Sequence, residues 1–231
     1  MPPEVEDHPR PTLLSDFILG SQDGLVNVLG ILLGLVVATR DPRIILIATL
    51  AALAAESISM GAVAYTSTLA RRNLYLSEVQ REMAEMRVVP HLEQEEVRVI
   101  LRRWGYEGAE VEEMLARIEA KPKAMLDIMM AFELNLSEVK PEQPRNSALV
   151  VFGATVAGSI IPILPFFFLS HDLVMAAIIA IILSALVLCA VGYYEATATK
   201  GSTWRSALRM VIIGIGSGFA GFLIGVLVKT F

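Results

Sequence analysis

The chain has 231 residues, of which 55% are hydrophobic and 19% are charged. This composition is more apolar than that of an average soluble domain, so most of the chain is expected to lie in lipid. The formal net charge of −5 provides no strongly basic surface for a phosphate backbone, so nucleic acid is not an expected partner.

Five apolar segments are long enough to cross a bilayer as helices, which requires about 20 residues for roughly 30 Å of hydrocarbon. They are residues 17–38, 44–70, 147–169, 173–194 and 210–228. The sequence therefore predicts an all-α membrane protein with five transmembrane helices. The first and last spans also contain G-x-x-x-G pairs, which let helices pack closely within a chain or between protomers. These pairs are Gly20/Gly24, Gly30/Gly34, Gly214/Gly218 and Gly221/Gly225.

Most of the charged residues lie in one insertion between the second and third spans. Its richness in Glu, Arg, Met and Leu is typical of helices, and its helix breakers are Pro90, Gly105, Gly108, Pro122 and Pro141. We expect a long helix that leaves the second span and ends near Val88. Three shorter helices should follow, near residues 93–103, 110–120 and 123–136. The predicted organisation is a tail with spans one and two (1–70), a helical insertion (71–146) and spans three to five (147–231).

The distribution of basic residues predicts the orientation in the membrane. With a cytosolic N-terminus, the inner side holds the basic residues of the insertion together with Arg10, Lys200, Arg205 and Arg209. The outer side then holds only Arg40, Arg43 and Lys229. Because cytosolic loops carry an excess of Lys and Arg, the insertion should be cytosolic. Five spans then place the C-terminus outside.

Two acids lie inside the predicted spans. Asp23 is about two turns into the first span and Glu56 is near the middle of the second, each at a cost on the order of 3 kcal/mol. Such a cost usually marks a cation or proton site, although a neutral acid bonded to a neighbour such as Asn27 would also be tolerated. Met60 shares a helix face with Glu56, one turn away. Its sulfur favours a transition metal, unless Met60 only fills space.

The insertion contains paired acids on either side of a predicted turn. Glu82 and Glu85 precede Pro90, and Glu93 and Glu96 follow it, so a hairpin there could bring the two pairs together. The last predicted helix adds a sulfur and a carboxylate, from Met129 and Glu133. Oxygen-rich ligation suits a loosely held divalent cation. The alternative is a set of solvated faces paired with nearby arginines, and the spacing alone does not decide between them.

Several short motifs occur in a characteristic order. They are Asp23-Gly24, Ile58-Ser59-Met60-Gly61, Glu82-x-x-Glu85 before Val89-Pro90, Glu93-x-x-Glu96, Met129-Met130-Ala131-Phe132-Glu133-Leu134 and Pro162-Ile163-Leu164-Pro165. Over nearly the whole chain this pattern resembles the vacuolar iron transporter family. In two places the chain departs from that pattern. Ala52 occupies the family's second-span glutamate position, with Glu56 one turn later, and Glu195 replaces a common lysine.

The resemblance implies a homodimer whose first spans surround a pathway lined by Asp23 and Met60, with Glu56 as a further carboxylate. It also implies that residues 71–146 are a cytosolic metal-binding domain. Fe²⁺ would be exported from the cytosol in exchange for protons, with manganese as another candidate substrate and no permanently bound cofactor. The host would be the cell membrane of a prokaryote or the vacuolar membrane of a eukaryote. The implied cytosolic ligands are Glu82, Glu85, Glu93, Glu96, Met129 and Glu133.

Three other functions are alternatives to this secondary active transporter. A ferritin-like di-iron oxidase would need Glu-x-x-His pairs on bundle helices. The histidines instead fall in the tail, at a turn and in a loop, as His8, His91 and His171. A metal-sensing module anchored by its spans would have no use for Asp23 and Glu56. A passive metal channel is the third alternative. The chain has no G-x-x-x-x-G-K-[ST] phosphate loop that would indicate ATP hydrolysis.

Overall fold

The computed structural model describes residues 11–199 and 202–230. His8, Arg10 and Lys200 lie outside these ranges. Within them the chain is helical without strands, and five of its helices are long and apolar enough to cross a membrane. The prediction of an all-α protein with five candidate spans is therefore confirmed.

The five long helices are interrupted once, by a set of shorter ones. The long helices are α1 (Pro11–Ala38), α2 (Pro42–Val88), α6 (Gln143–Phe168), α7 (Leu173–Thr199) and α8 (Thr203–Lys229). Between α2 and α6 lie α3 (Pro90–Arg103), α4 (Ala109–Glu119), α5 (Pro122–Ile128) and a π-helical segment (Met129–Glu133). Prolines begin α3 and α5, where the missing N–H costs nothing because the first turn has no intrahelical acceptor for it.

The end of the insertion differs from the prediction of one regular helix over residues 123–136. The α-helical pattern stops at Ile128, and the backbone N–H of Leu134 donates to the oxygen of Met129, five residues back, at 3.1 Å. The wider π turn accommodates two consecutive buried side chains, Met129 and Met130. Asn135 then adopts a left-handed conformation with φ 53° and ends the segment.

The helices form two compact units. The membrane unit comprises the residues up to Tyr65 and those from Pro144 onward, and the insertion unit comprises Thr66–Gln143. In the membrane unit, one apolar core joins four helices. It includes Val28 and Leu32 of α1, Ile45 of α2, Phe166 of α6 and Ala180 of α7.

The G-x-x-x-G pairs bring helices of the membrane unit into backbone contact. A Cβ atom on Gly221 of α8 would overlap the carbonyl oxygen of Gly30 on α1, and one on Gly225 would overlap that of Gly34. Gly24 meets the backbone of α6 in the same way. These glycines therefore serve helix packing within one chain.

The insertion unit has its own apolar core, made by α3, α4, α5 and the π segment. Val97 and Leu101 of α3 pack with Val111 and Leu115 of α4, and Met125 and Met129 complete the cluster. This packing fixes α3 relative to the π segment, which positions the acids that both of them carry.

Candidate functional site

Three glutamates of the insertion unit converge on one point. The acidic cluster consists of Glu82 on α2 with Glu93 and Glu96 on α3, and one carboxylate oxygen from each lies within 4.8 Å of the others. The chain reverses between the end of α2 at Val88 and the start of α3 at Pro90, which brings the two helices' acids together. Glu82 and Glu93 are only 1% and 3% exposed. Buried carboxylates this close repel one another unless a cation or a proton compensates them.

The acidic cluster has free ligand atoms. Among the described residues, Oε2 of Glu82 and Oε2 of Glu93 are buried without a hydrogen-bond partner. A buried polar atom without a partner is costly, and a divalent cation bound by oxygen ligands would remove that cost. The donor set therefore fits a divalent metal ion.

The pKa values of Glu93, in the acidic cluster, and of the neighbouring Glu133 are raised into the neutral range. Burial raises the pKa of Glu93 to about 7, and four carboxylates add to the effect, those of Glu96, Glu82, Glu85 and Glu133. Partial loss of hydration at its carboxyl group likewise raises the pKa of Glu133 to about 7, helped by Glu96 and Glu82 and opposed by Arg81. Near pH 7, a divalent metal ion would therefore compete with protons for these oxygens.

Arg81 balances part of the negative charge. Its guanidinium lies 2.9 Å from Glu78, 3.5 Å from Glu82 and 3.7 Å from Glu85, at the exposed edge of the acidic cluster. Two arginines of α3, Arg98 and Arg102, instead pair with acids outside the cluster. One guanidinium does not neutralise five carboxylates, those of Glu93 and the four around it.

Of the six ligand positions that the resemblance implies, the structure brings three together and places the other three outside the acidic cluster. Glu82, Glu93 and Glu96 come together, whereas Glu85 is half-buried beside Arg81. Glu133 is exposed at the end of the π segment, with its carboxyl group in contact with that of Glu96. Met129 is fully buried in the apolar core of the insertion unit.

The membrane unit holds a second group of polar side chains. The side-chain amide of Asn27 on α1 donates to Oδ1 of Asp23 at 3.2 Å and also to Oε1 of Glu56 on α2. The carboxyl groups of Asp23 and Glu56 also interact directly. The structure thus brings the two intramembrane acids together, with Met60 half-buried one turn after Glu56 on α2.

Two features of these sites were not predicted from the sequence. The sequence presents Asn27 only as one neighbour that could hold an acid neutral, whereas in the structure it contacts both acids. Glu195 had no predicted role, and it binds Arg209, whose Nη2 lies 2.7 and 2.9 Å from the two carboxylate oxygens. The sequence does carry a signal for this ion pair, because Glu195 and Arg209 have opposite charges and lie near the ends of two helices that a short connection joins.

We expect divalent metal binding at the acidic cluster to weaken as the pH falls through about 7. Glu93 must lose its proton to ligate a cation, and displacing that proton costs up to about tenfold in affinity per pH unit below its pKa. Calorimetric titration of the full-length protein in detergent with Co²⁺ should give a Kd at least about tenfold weaker at pH 6 than at pH 7.5.

Two variants sharpen this measurement. Glu93→Gln should weaken Co²⁺ binding at pH 7.5 and remove much of the pH dependence. Glu112→Gln is the matched control, because Glu112 pairs with Arg98 away from the acidic cluster, and it should bind as the unmodified protein does. Since an ordinary glutamate has a pKa of about 4.3, equal affinity at both pH values would contradict the assignment.

Comparison with known proteins gives one consistent match. The model of the VIT family matches residues 14–226. Vacuolar iron transporter 1 of Eucalyptus grandis is 34% identical over 210 residues, covering 91% of this chain and 84% of the relative. Vacuolar iron transporter 1 of Arabidopsis thaliana is 33% identical over 217 residues, covering 94% and 86%. The vacuolar iron transporter of Plasmodium falciparum is 28% identical over 226 residues, covering 94% and 82%.

Proposed function

Because the chain belongs to the VIT family, we propose that it is a membrane transporter that moves ferrous iron out of the cytosol in exchange for protons. The resemblance noted in the sequence is thereby confirmed. The observation that carries the proposal is the contact between Asp23 and Glu56 within apolar helices. Ionisable groups inside a membrane are costly and typically mark an ion or proton pathway.

The exchange of iron for protons follows from the chemistry of this pair. In a medium of low dielectric constant, a carboxylate needs a compensating positive charge, which either a proton or a metal ion can supply. Arrival of one therefore favours departure of the other. Met60 lies one turn from Glu56 on α2, and its soft sulfur favours a transition metal ion such as Fe²⁺ over Mg²⁺ and Ca²⁺.

The acidic cluster is the proposed loading site, within a metal-binding domain of residues 71–146. Glu82, Glu93 and Glu96 are the direct ligands in this proposal, supported by their convergence and by the unpaired oxygens of the first two. Glu85 and Glu133 add negative charge at the rim. A ligand such as Glu93, whose carboxyl group has a pKa near 7, suits an ion that is bound and then released.

The proposed orientation places the N-terminus and the insertion unit in the cytosol and the C-terminus outside. Its support is the excess of basic residues on that side, including Arg205 and Arg209. The names of the plant and Plasmodium relatives favour a vacuolar membrane if the source is a eukaryote. In a prokaryote the cell membrane would take its place.

We also propose a homodimer with the first spans at its centre. Asn27 is an exposed polar side chain in the middle of an apolar helix. Lipid provides no hydrogen-bond partner, so a polar face at this depth is stable only against protein or a water-filled pathway. A second copy of α1 facing Asn27 would provide a protein surface there and enclose a water-filled pathway between the two copies.

A di-iron oxidase is less well supported than a transporter. Ferritin-like di-iron sites combine glutamates with histidines from facing helices. The acidic cluster found among the described residues consists of glutamates alone, and the nearest histidine along the chain, His91, is exposed beside the turn at Pro90.

Transport into sealed liposomes tests the proposal. With a trapped metal-sensitive dye, Fe²⁺ uptake under anaerobic conditions should be several-fold faster into vesicles with an acidic interior than into vesicles without a pH gradient. A protonophore should abolish the difference, and a panel with Mn²⁺ and Mg²⁺ should establish the preference among metals. Rapid Fe²⁺ flux that ignores the pH gradient would indicate a passive channel instead.

A further inference from the structure

The amide of Asn27 lies between the carboxyl groups of two acids on neighbouring helices. Asn27 lies one turn after Asp23 on α1, and Glu56 comes from α2. Its amide nitrogen reaches an oxygen of each carboxyl group. An amide nitrogen carries two donors, so a single side chain can satisfy both acceptors at once.

The contact crosses from one helix to another. Asp23 and Asn27 share a face of α1 because they are four residues apart, so their hydrogen bond is local. The bond to Glu56 links residues 29 positions apart. Asn27 therefore fixes the distance between the two acids, which neither helix would do alone.

We propose that Asn27 is a positioning residue of the transport pathway. Its amide holds Asp23 and Glu56 together in the empty protein and turns its oxygen toward the metal ion when the pathway is loaded. This inference rests on the proposed transport function. The terminal torsion of an asparagine has broad, roughly two-fold preferences, so exchanging the nitrogen for the oxygen requires only a rotation about χ2.

The chemistry of the two states supports this role. In the empty protein the partial positive charge of the N–H groups lowers the repulsion between two close carboxyl groups. In the loaded protein a metal ion would repel those N–H groups and attract the amide oxygen, a ligand that divalent cations accept. One side chain thus suits both states without adding a charge to the membrane interior.

The test is the concentration dependence of Fe²⁺ uptake in liposomes by the full-length protein. Asn27→Leu, which has a similar size and no polar atoms, should raise the apparent KM for Fe²⁺ by about tenfold, as expected on losing a side chain that orients both acids and offers an oxygen to the ion. Asn27→Gln keeps the amide and should stay within about threefold of the unmodified protein. A purely structural role would lower the amount of active protein, and therefore Vmax, while leaving KM unchanged.

Ser217→Ala is the matched control. Ser217 lines the same groove between α1 and α8 as Asn27, and its hydroxyl donates to the backbone oxygen of Val26 at 3.4 Å. This variant loses a polar contact without touching either acid, so its KM should not change. Should Asn27→Leu fail to fold, Asn27→Ser takes its place, with an expected KM above that of Asn27→Gln.

The outcomes separate the two proposals. If the unmodified protein takes up Fe²⁺ and the KM of Asn27→Leu is within twofold of the unmodified protein's KM, the positioning role alone is overturned. An unmodified protein that moves no divalent metal would overturn the transport function and this inference with it. A raised KM in Asn27→Leu that Asn27→Gln largely restores would support both.

Discussion

Asp23→Asn should abolish metal transport while leaving the protein folded. The substitution preserves the size of the side chain and an oxygen that accepts from Asn27, but it removes the negative charge that a metal ion or a proton must neutralise. In the membrane interior that charge contributes most of the attraction for the ion. We expect the initial rate of Fe²⁺ uptake into liposomes to fall about a hundredfold or more, to the level of protein-free vesicles.

The control for this substitution is Asp41→Asn. Asp41 lies in the short connection between α1 and α2, where its Oδ1 accepts from the backbone N–H of Arg43 at 2.8 Å. An asparagine oxygen can accept the same bond, so uptake should stay near that of the unmodified protein. Circular dichroism and size-exclusion elution of Asp23→Asn should match the unmodified protein. Normal uptake by a correctly folded Asp23→Asn would remove Asp23 from the pathway.

Gly221→Ala should cause the largest loss of stability of any single methyl addition considered for α8. The new Cβ atom would overlap the carbonyl oxygen of Gly30, which is backbone and cannot rotate away. Helices α1 and α8 would have to separate, and overpacking of this kind typically costs about 1–3 kcal/mol or more. Thermal unfolding of the detergent-solubilised protein should show a clearly lower midpoint and less folded protein after purification.

Gly216 provides a matched control on the same helix. Apart from its chain neighbours and the nearby backbone of its own helix, no atom of the described chain lies within 4 Å of a Cβ built there. Gly216→Ala therefore adds the same methyl group without an overlap. Alanine also has a higher helix propensity than glycine, by up to about 1 kcal/mol. Its unfolding midpoint should equal or exceed that of the unmodified protein. Similar losses in both variants would contradict the assigned close contact between α1 and α8.

The architecture could be predicted where the sequence carries long or sharply bounded signals. The five spans follow from apolar runs whose length alone excludes other structures. The break after Val88 follows from Pro90, which is tolerated in the first turn of a helix but not in its interior. The break at Pro90 and the spacing of Glu82, Glu93 and Glu96 also suggest a hairpin that brings the acids of α2 and α3 together.

The site details that escaped prediction depend on how helices rotate against each other. The spans are apolar on nearly all sides, so periodicity did not specify which face of α1 meets α2, and the bridge from Asn27 to Glu56 could not be derived. The π turn at Met129 arises from tertiary packing rather than from local preference. The pair of Glu195 and Arg209 likewise depends on the packing of α7 against α8.

The acidic cluster links the folding of the insertion unit to what the cluster holds. The folded-state pKa of Glu93 is raised to about 7, so the stabilisation it supplies by holding a proton is complete below its unfolded pKa and is lost as the pH rises through 7. A bound cation replaces that loss, by about 2.7 kcal/mol at a hundredfold excess over Kd. At neutral pH the empty unit is therefore electrostatically frustrated. Because proteases act on transiently opened chains, the lifetime of the protein in the cell would lengthen with the supply of its own cargo.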